Sequence, residues 1–99
     1  MSLAILTTLE ATIQQRLDNA DTHASYTAQL ATSGVERIAQ KIGEEGVEVA
    51  LATVTGSDDA LVSESADLMY HLLVALRFRG LSLNAVCDEL QRRHSNESG

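Results

Sequence analysis

The amino-acid sequence predicts an all-α fold, a small bundle of about four to five helices. Three observations point there. Apolar residues recur at three- and four-residue spacing along most of the chain, the two-residue alternation of strands is almost absent, and no proline interrupts the pattern.

A first helix is predicted from Leu3 to Leu17, where Leu6, Leu9, Ile13 and Leu17 share one face. The stretch from Asp18 to Gly34 is polar and turn-prone, with room for a short helix over Tyr26 to Ala31. A long helix follows from Val35 to Thr55, and Val35, Ile38, Ile42 and Val49 form its apolar stripe. The run TGSDD ends it: Gly56 suits the residue after a helix, and Ser57 or Asp58 can cap the next one. A second long helix spans Asp59 to Arg79, and Gly80 closes it. Ser82 can cap a last short helix, where Leu83, Val86 and Leu90 keep helical spacing. The remaining HSNESG is expected to fray. Residues 1–94 thus read as a single all-α domain and 95–99 as a disordered tail. Short connections make the neighbouring long helices antiparallel.

The second long helix carries Leu61, Val62, Ala66, Leu68, Met69, Leu72, Leu73, Val74, Leu76 and Phe78, which cover nearly its whole circumference. A helix apolar all round is normally buried on every side. Three or four other helices from a chain of 99 residues can hardly achieve that. Completion of the bundle by a homodimer or a larger homo-oligomer is therefore expected.

Charge narrows the partners. A net charge of −7 argues against a nucleic-acid binder, which needs a basic face. It permits a small anionic substrate, because bound cations reverse the local field. Cys87 is the one cysteine, so no disulfide framework exists, as expected for a reducing cytoplasm. The start MSLAILTTLE lacks the features of a signal peptide, and no apolar run is long enough for a membrane span.

The chemistry sits in acids. KIGEEGVEV holds Glu44, Glu45 and Glu48, and Lys41, Glu44, Glu45 and Glu48 fall within about 100° around the helix. ESADLMYH holds Glu64, Asp67 and His71 at i, i+3, i+7. Like charges at such spacing repel, and an unpaired carboxylate inside an apolar helix costs several kcal/mol more. Gly43 and Gly46 each cost roughly 1 kcal/mol relative to alanine in a helix. Several local penalties within a few turns tend to mark a functional site. A hard divalent cation would remove the electrostatic one, since Mg²⁺ takes oxygen ligands and keeps positions for water or phosphate. A solvated face paired with Lys41 is the ordinary explanation of Glu44, Glu45 and Glu48. Glu64 and Asp67 resist that explanation, because they interrupt an apolar helix. His71 stays outside the metal set, since imidazole suits Mg²⁺ poorly. Ser25, Tyr26 and Thr27 offer hydroxyls that can either contact phosphate or ribose or simply form a cap and turn. Lys41, Arg77 and Arg79 are phosphate binders or surface residues, and Cys87 reads as packing. No glycine-rich phosphate loop is present.

Glu45-x-x-Glu48 followed by Glu64-x-x-Asp67 resembles the ExxE…ExxD signature of the all-α nucleoside triphosphate pyrophosphohydrolases, the MazG-like group. SYTAQL at 25–30, KIGEEGVEV at 41–49, ESADLMYHLLVAL at 64–76 and RGLSLNAVCDELQRR at 79–93 are similar to the phosphoribosyl-ATP pyrophosphatase family, over about four-fifths of the chain. The resemblance implies hydrolysis of phosphoribosyl-ATP to phosphoribosyl-AMP and pyrophosphate, the second step of histidine biosynthesis. It implies Mg²⁺, with Mn²⁺ as a substitute, a cytoplasmic location and a homodimer or higher assembly. By position it places metal binding on Glu45, Glu48, Glu64 and Asp67, with Glu44 binding metal or positioning water. Catalytic work falls to Glu45 and Glu48, and substrate contact to Ser25, Thr27 and Lys41. Gly46 stands where alanine would be more usual. Some relatives fuse this activity to a cyclohydrolase; a chain this short is expected to be the stand-alone form. Two alternatives remain open: a related enzyme acting on free triphosphates, and a non-catalytic helical dimerisation module that binds no metal.

Overall fold

Two glycines in the left-handed region mark where the chain must turn: Gly34 (φ 102°) and Gly80 (φ 74°). A side chain at either position would be strained, so glycine is the residue these turns need. The computed structural model describes residues 3–19 and 25–96. Within them it is all-α: α1 (Ala4–Asn19), α2 (Tyr26–Ser33), α3 (Val35–Thr55), α4 (Asp58–Phe78) and α5 (Leu83–Asn96). Among the described residues no helix is long and apolar enough to cross a membrane.

Local chemistry explains the boundaries. Ser25 caps α2, its Oγ accepting from Ala28 N at 3.1 Å. Ser57, rather than Asp58, caps α4 in the same way through Ala60 N, also at 3.1 Å. Gly56 and Ser57 join α3 to α4 so tightly that the two pack as an antiparallel hairpin. The first N–H of α5 finds its acceptor on another helix: Leu83 N donates to Glu10 Oε2 of α1 at 2.8 Å.

The core is a single cluster of Ile13, Leu30, Ile38, Leu73 and Val74, with Leu6, Leu9, Leu17, Ile42, Tyr70, Ala75 and Leu83 packed around it. Burying each such aliphatic side chain contributes about 1.5–3 kcal/mol. The core draws on the half of the α3–α4 hairpin remote from Gly56. The other half carries nothing: Val47, Leu51 and Val54 on α3 and Val62 and Met69 on α4 are exposed. One chain therefore does not bury α4 on all sides.

Several expectations need correction. α1 runs two residues past Leu17, and α2 two past Ala31. The turn-prone residues 20–24 lie outside the described residues. Val35, expected in the α3 stripe, is exposed because it precedes the first turn that meets the core. Cys87 is exposed rather than packed. The last helix is not short. It continues through His94, Ser95 and Asn96, so residues 95 and 96 belong to helix rather than tail, while 97–99 lie outside the described residues. Side-chain pairs one turn apart support this length: Glu89 binds Arg92 and Arg93, and Gln91 donates to Ser95.

Candidate metal centre

The hairpin brings the two acidic runs together. Glu45 and Glu48 of α3 and Glu64 of α4 each offer a carboxylate oxygen, and these oxygens lie within 4.8 Å of one another. Glu45 is the buried member, only 6% exposed; Glu64 is half-buried and Glu48 exposed. The reason is the helical period: positions 38, 42, 45 and 49 face the core side of α3, while 44 and 48 lie toward its edge.

Three carboxylates so placed repel one another. Hydrogen bonding to Glu64, reinforced by that residue's charge, pushes the Glu48 carboxyl above its ordinary value; a hydrogen bond with Glu45 works in the opposite direction. Glu64 Oε2 is shielded from solvent yet has no hydrogen bond. A buried acceptor of this kind costs about 1–3 kcal/mol unless something binds it. An all-oxygen, net-negative donor set with one orphaned oxygen fits a hard divalent cation.

Basic and neutral groups enclose the acids. Lys41 Nζ lies 3.6 Å from Glu44 Oε1 and 3.6 Å from Glu45 Oε1. Partial burial opposes the ammonium charge, but the fields of Tyr26, Glu45 and Glu44 outweigh it and hold the Lys41 pKa above its usual value. His71 of α4 places Nδ1 3.6 Å from Glu45 Oε1 and 2.8 Å from the Asp67 carbonyl oxygen. Its Nε2 lies 2.8 Å from Tyr26 Oη.

The residues singled out in the sequence separate into groups. Glu45, Glu48, Glu64 and Lys41 converge. Glu44 is exposed on the Lys41 side and accepts from Gln40 at 3.1 Å, outside the three-carboxylate set. Asp67 is exposed one turn along α4 from Glu64, also outside that set. Ser25 spends its hydroxyl on the α2 cap. Thr27 is fully buried, with its hydroxyl bonded to that of Tyr70. Tyr26, its neighbour, is 47% exposed and points at the site instead. His71 and Tyr26 were legible only as the continuation of the Glu64–Asp67 stripe and as one hydroxyl among three. A groove of about 550 Å³ between Glu10, Gln14, Asp18, Arg77 and Ser82 shares no residue with the acidic cluster.

Comparison with known proteins agrees with the resemblance read from the motifs. The profile of the phosphoribosyl-ATP pyrophosphohydrolase family matches residues 6–94. The phosphoribosyl-ATP pyrophosphatase of Pyrobaculum aerophilum is 53% identical over 93 residues, 94% of this chain and 98% of that protein. That of Erythrobacter litoralis is 53% identical over 85 residues, 86% of this chain and 81% of the relative. The histidine biosynthesis bifunctional protein HisIE of Vibrio cholerae serotype O1 is 56% identical over 86 residues, 87% of this chain but 40% of that protein. The chain thus spans less than half the length of such bifunctional relatives, 40% and 45% in two cases.

Proposed function

The chain belongs to the phosphoribosyl-ATP pyrophosphohydrolase family, and from that premise we propose that it hydrolyses phosphoribosyl-ATP to phosphoribosyl-AMP and pyrophosphate in histidine biosynthesis. The observation that carries this reading is the meeting of Glu45, Glu48 and Glu64 across the α3–α4 hairpin, with one Glu64 oxygen buried and unbonded. The cofactor is Mg²⁺, with Mn²⁺ able to replace it, and the location is the cytoplasm.

In this reading Glu45, Glu48 and Glu64 hold the cation, and Asp67 adds a fourth carboxylate from the next turn of α4. When bound, the cation supplies charge neutralisation for the substrate's phosphates and Lewis acidity toward the scissile anhydride. The protein's own groups do the rest. Lys41, kept charged by its surroundings, meets a phosphate oxygen at the rim. Glu44, exposed beside Lys41, accepts a proton from the attacking water. Burial of Glu45 fixes the inner wall, so that ligand orientation is set before substrate arrives. Ser25 acts indirectly, by capping the helix that carries Tyr26.

The same reading makes the protein a homodimer or a higher homo-oligomer. Exposed Val47, Leu51, Val54, Val62 and Met69 form an apolar surface beyond what a lone small domain usually shows. The net charge of −7 supports a small nucleotide, not a nucleic acid, as the ligand.

The experiment is pyrophosphate release from phosphoribosyl-ATP with and without Mg²⁺, alongside common nucleoside triphosphates. Release from phosphoribosyl-ATP alone, dependent on the metal, is expected. Equal turnover of the common triphosphates would reassign the substrate, and metal-independent turnover would remove the role given to the carboxylates.

A further inference from the structure

Four side chains from three helices line up beside the carboxylate cluster, Tyr26, His71, Glu45 and Lys41, and the hydrolysis proposed above leaves two of them, His71 and Tyr26, without a role. The series can be traced atom by atom. His71 Nδ1 lies 2.8 Å from the Asp67 carbonyl oxygen. A carbonyl only accepts, so Nδ1 carries the proton. Neutral imidazole then has Nε2 as an acceptor, and Tyr26 Oη, 2.8 Å away, must be the donor. The Tyr26 proton is thereby committed inward. Glu45 Oε1 lies 3.6 Å from the same His71 Nδ1 and 3.6 Å from Lys41 Nζ, so the carboxylate packs between the imidazole and the ammonium.

Packing fixes the imidazole plane. Tyr26 and Tyr70 both meet His71 edge-on, with ring centroids 5.7 Å away in each case. His71 is 7% exposed and Glu45 6%, so neither exchanges its partners for water.

We propose that His71 is a positioning residue: Tyr26 and the Asp67 carbonyl hold it as the Nδ1–H tautomer, and the fixed imidazole sets the place of the Glu45 carboxylate packed against it. The role rests on reading Glu45, Glu48 and Glu64 as a cation site. Groups that orient a metal ligand typically change metal affinity by about 10- to 100-fold when removed.

Two measurements test it. The first is the long-range proton–nitrogen spectrum of ¹⁵N-labelled, metal-free wild-type protein at alkaline pH. A protonated Nδ1 and an unprotonated Nε2 are expected for His71; the Nε2–H tautomer, or a doubly protonated ring, overturns the proposal. The second is Mn²⁺ affinity by calorimetry for wild type, Tyr26→Phe and His71→Ala. Tyr26→Phe removes one half-exposed hydroxyl, so the fold is retained even if His71→Ala proves unstable. Mn²⁺ binding should weaken by about 10-fold in Tyr26→Phe and by up to about 100-fold in His71→Ala. An inactive fraction would lower the number of Mn²⁺ sites rather than their affinity, so a change in Kd at unchanged stoichiometry separates positioning from loss of fold. If wild type binds Mn²⁺ and both variants bind it equally well, the positioning role fails alone. If wild type binds no Mn²⁺, the cation-site reading fails and the positioning role falls with it.

Discussion

Glu48 of α3 and Glu64 of α4 bring carboxylate oxygens within 4.8 Å of each other, across a hairpin turned by two residues. The hydrogen bond to Glu64 and that residue's charge raise the Glu48 carboxyl above its usual 4.5. The folded state therefore binds this proton more tightly than the unfolded chain. Its stabilising effect is full below the unfolded value and is lost as pH rises through the folded one. The metal-free protein should accordingly lose melting temperature as pH rises above 4.5 into the raised range, and Glu48→Gln should flatten that decline. Saturating Mg²⁺ should flatten it too, because bound cation takes the place of the proton on Glu48. Glu89, lowered by hydrogen bonds from Arg92 and then Arg93, acts with the opposite sign and at lower pH. A metal-free melting temperature that climbs through the Glu48 range would sink this account.

The orphaned oxygen of Glu64 separates function from stability. Glu64→Gln removes charge from a carboxylate whose buried Oε2 has no hydrogen bond, so the melting temperature should hold or rise. Turnover should fall by at least about 100-fold, since a catalytic cation contributes several kcal/mol to the transition state. Glu45→Gln should behave alike in turnover. Asp67→Asn decides the fourth ligand: a comparable loss is expected, and full activity would confine the site to three carboxylates. Rates and thermal melts on the same preparations check all three.

Much of this was readable from the residues. The period of Ile38, Ile42 and Val49 and the cap-like TGSDD located α3, α4 and their antiparallel pairing, and with them the meeting of Glu45, Glu48 and Glu64. Thr27 and Tyr26 were not separable, because which of two adjacent hydroxyls faces inward depends on how α2 docks against α4. The length of α5 was hidden for a different reason. Its support comes from Glu89, Arg92 and Arg93 on its own surface and from Glu10 on a distant helix, neither of which shows in apolar periodicity.

Thr27 offers a sharp contrast with the role its position in SYTAQL suggests. Its hydroxyl is buried against that of Tyr70. Thr27→Val keeps the shape and deletes the bond, leaving Tyr70 short of a partner, at a cost of about 1–2 kcal/mol. KM for phosphoribosyl-ATP should stay at the wild-type value per folded molecule. A raised KM with an unchanged melting temperature would return Thr27 to the substrate.

Glu10 latches α5. Its carboxylate accepts from Leu83 N at 2.8 Å, and Arg77 holds the preceding turn through the Leu81 carbonyl at 3.2 Å. Glu10→Ala should cost about 0.5–2 kcal/mol, the range of a lost helix cap. Amide exchange should quicken across α5 first, leaving the α3–α4 hairpin protected. Uniform quickening over all helices would mean that Glu10 supports the core instead.

The unpartnered half of the hairpin yields the last test. Val47 and Leu51 are each 60% exposed, Val54 81% and Val62 69%, on the two helices that also carry the acids. A single small domain leaving that much aliphatic surface in water forgoes about 25 cal/mol per Å² of it. A second copy recovers this term at once, and an interface of ordinary size needs about 800 Å² per partner. Sedimentation should therefore give at least twice the chain mass of 10.6 kDa for wild type. Leu51→Asp would place a charge in the middle of that contact, shifting the protein toward 10.6 kDa while leaving the core around Ile13 and Val74 untouched. Its melting temperature should become independent of protein concentration, whereas that of wild type rises with it. Wild type sedimenting as a single chain at micromolar concentration would show that α3 and α4 keep their apolar flank in solvent.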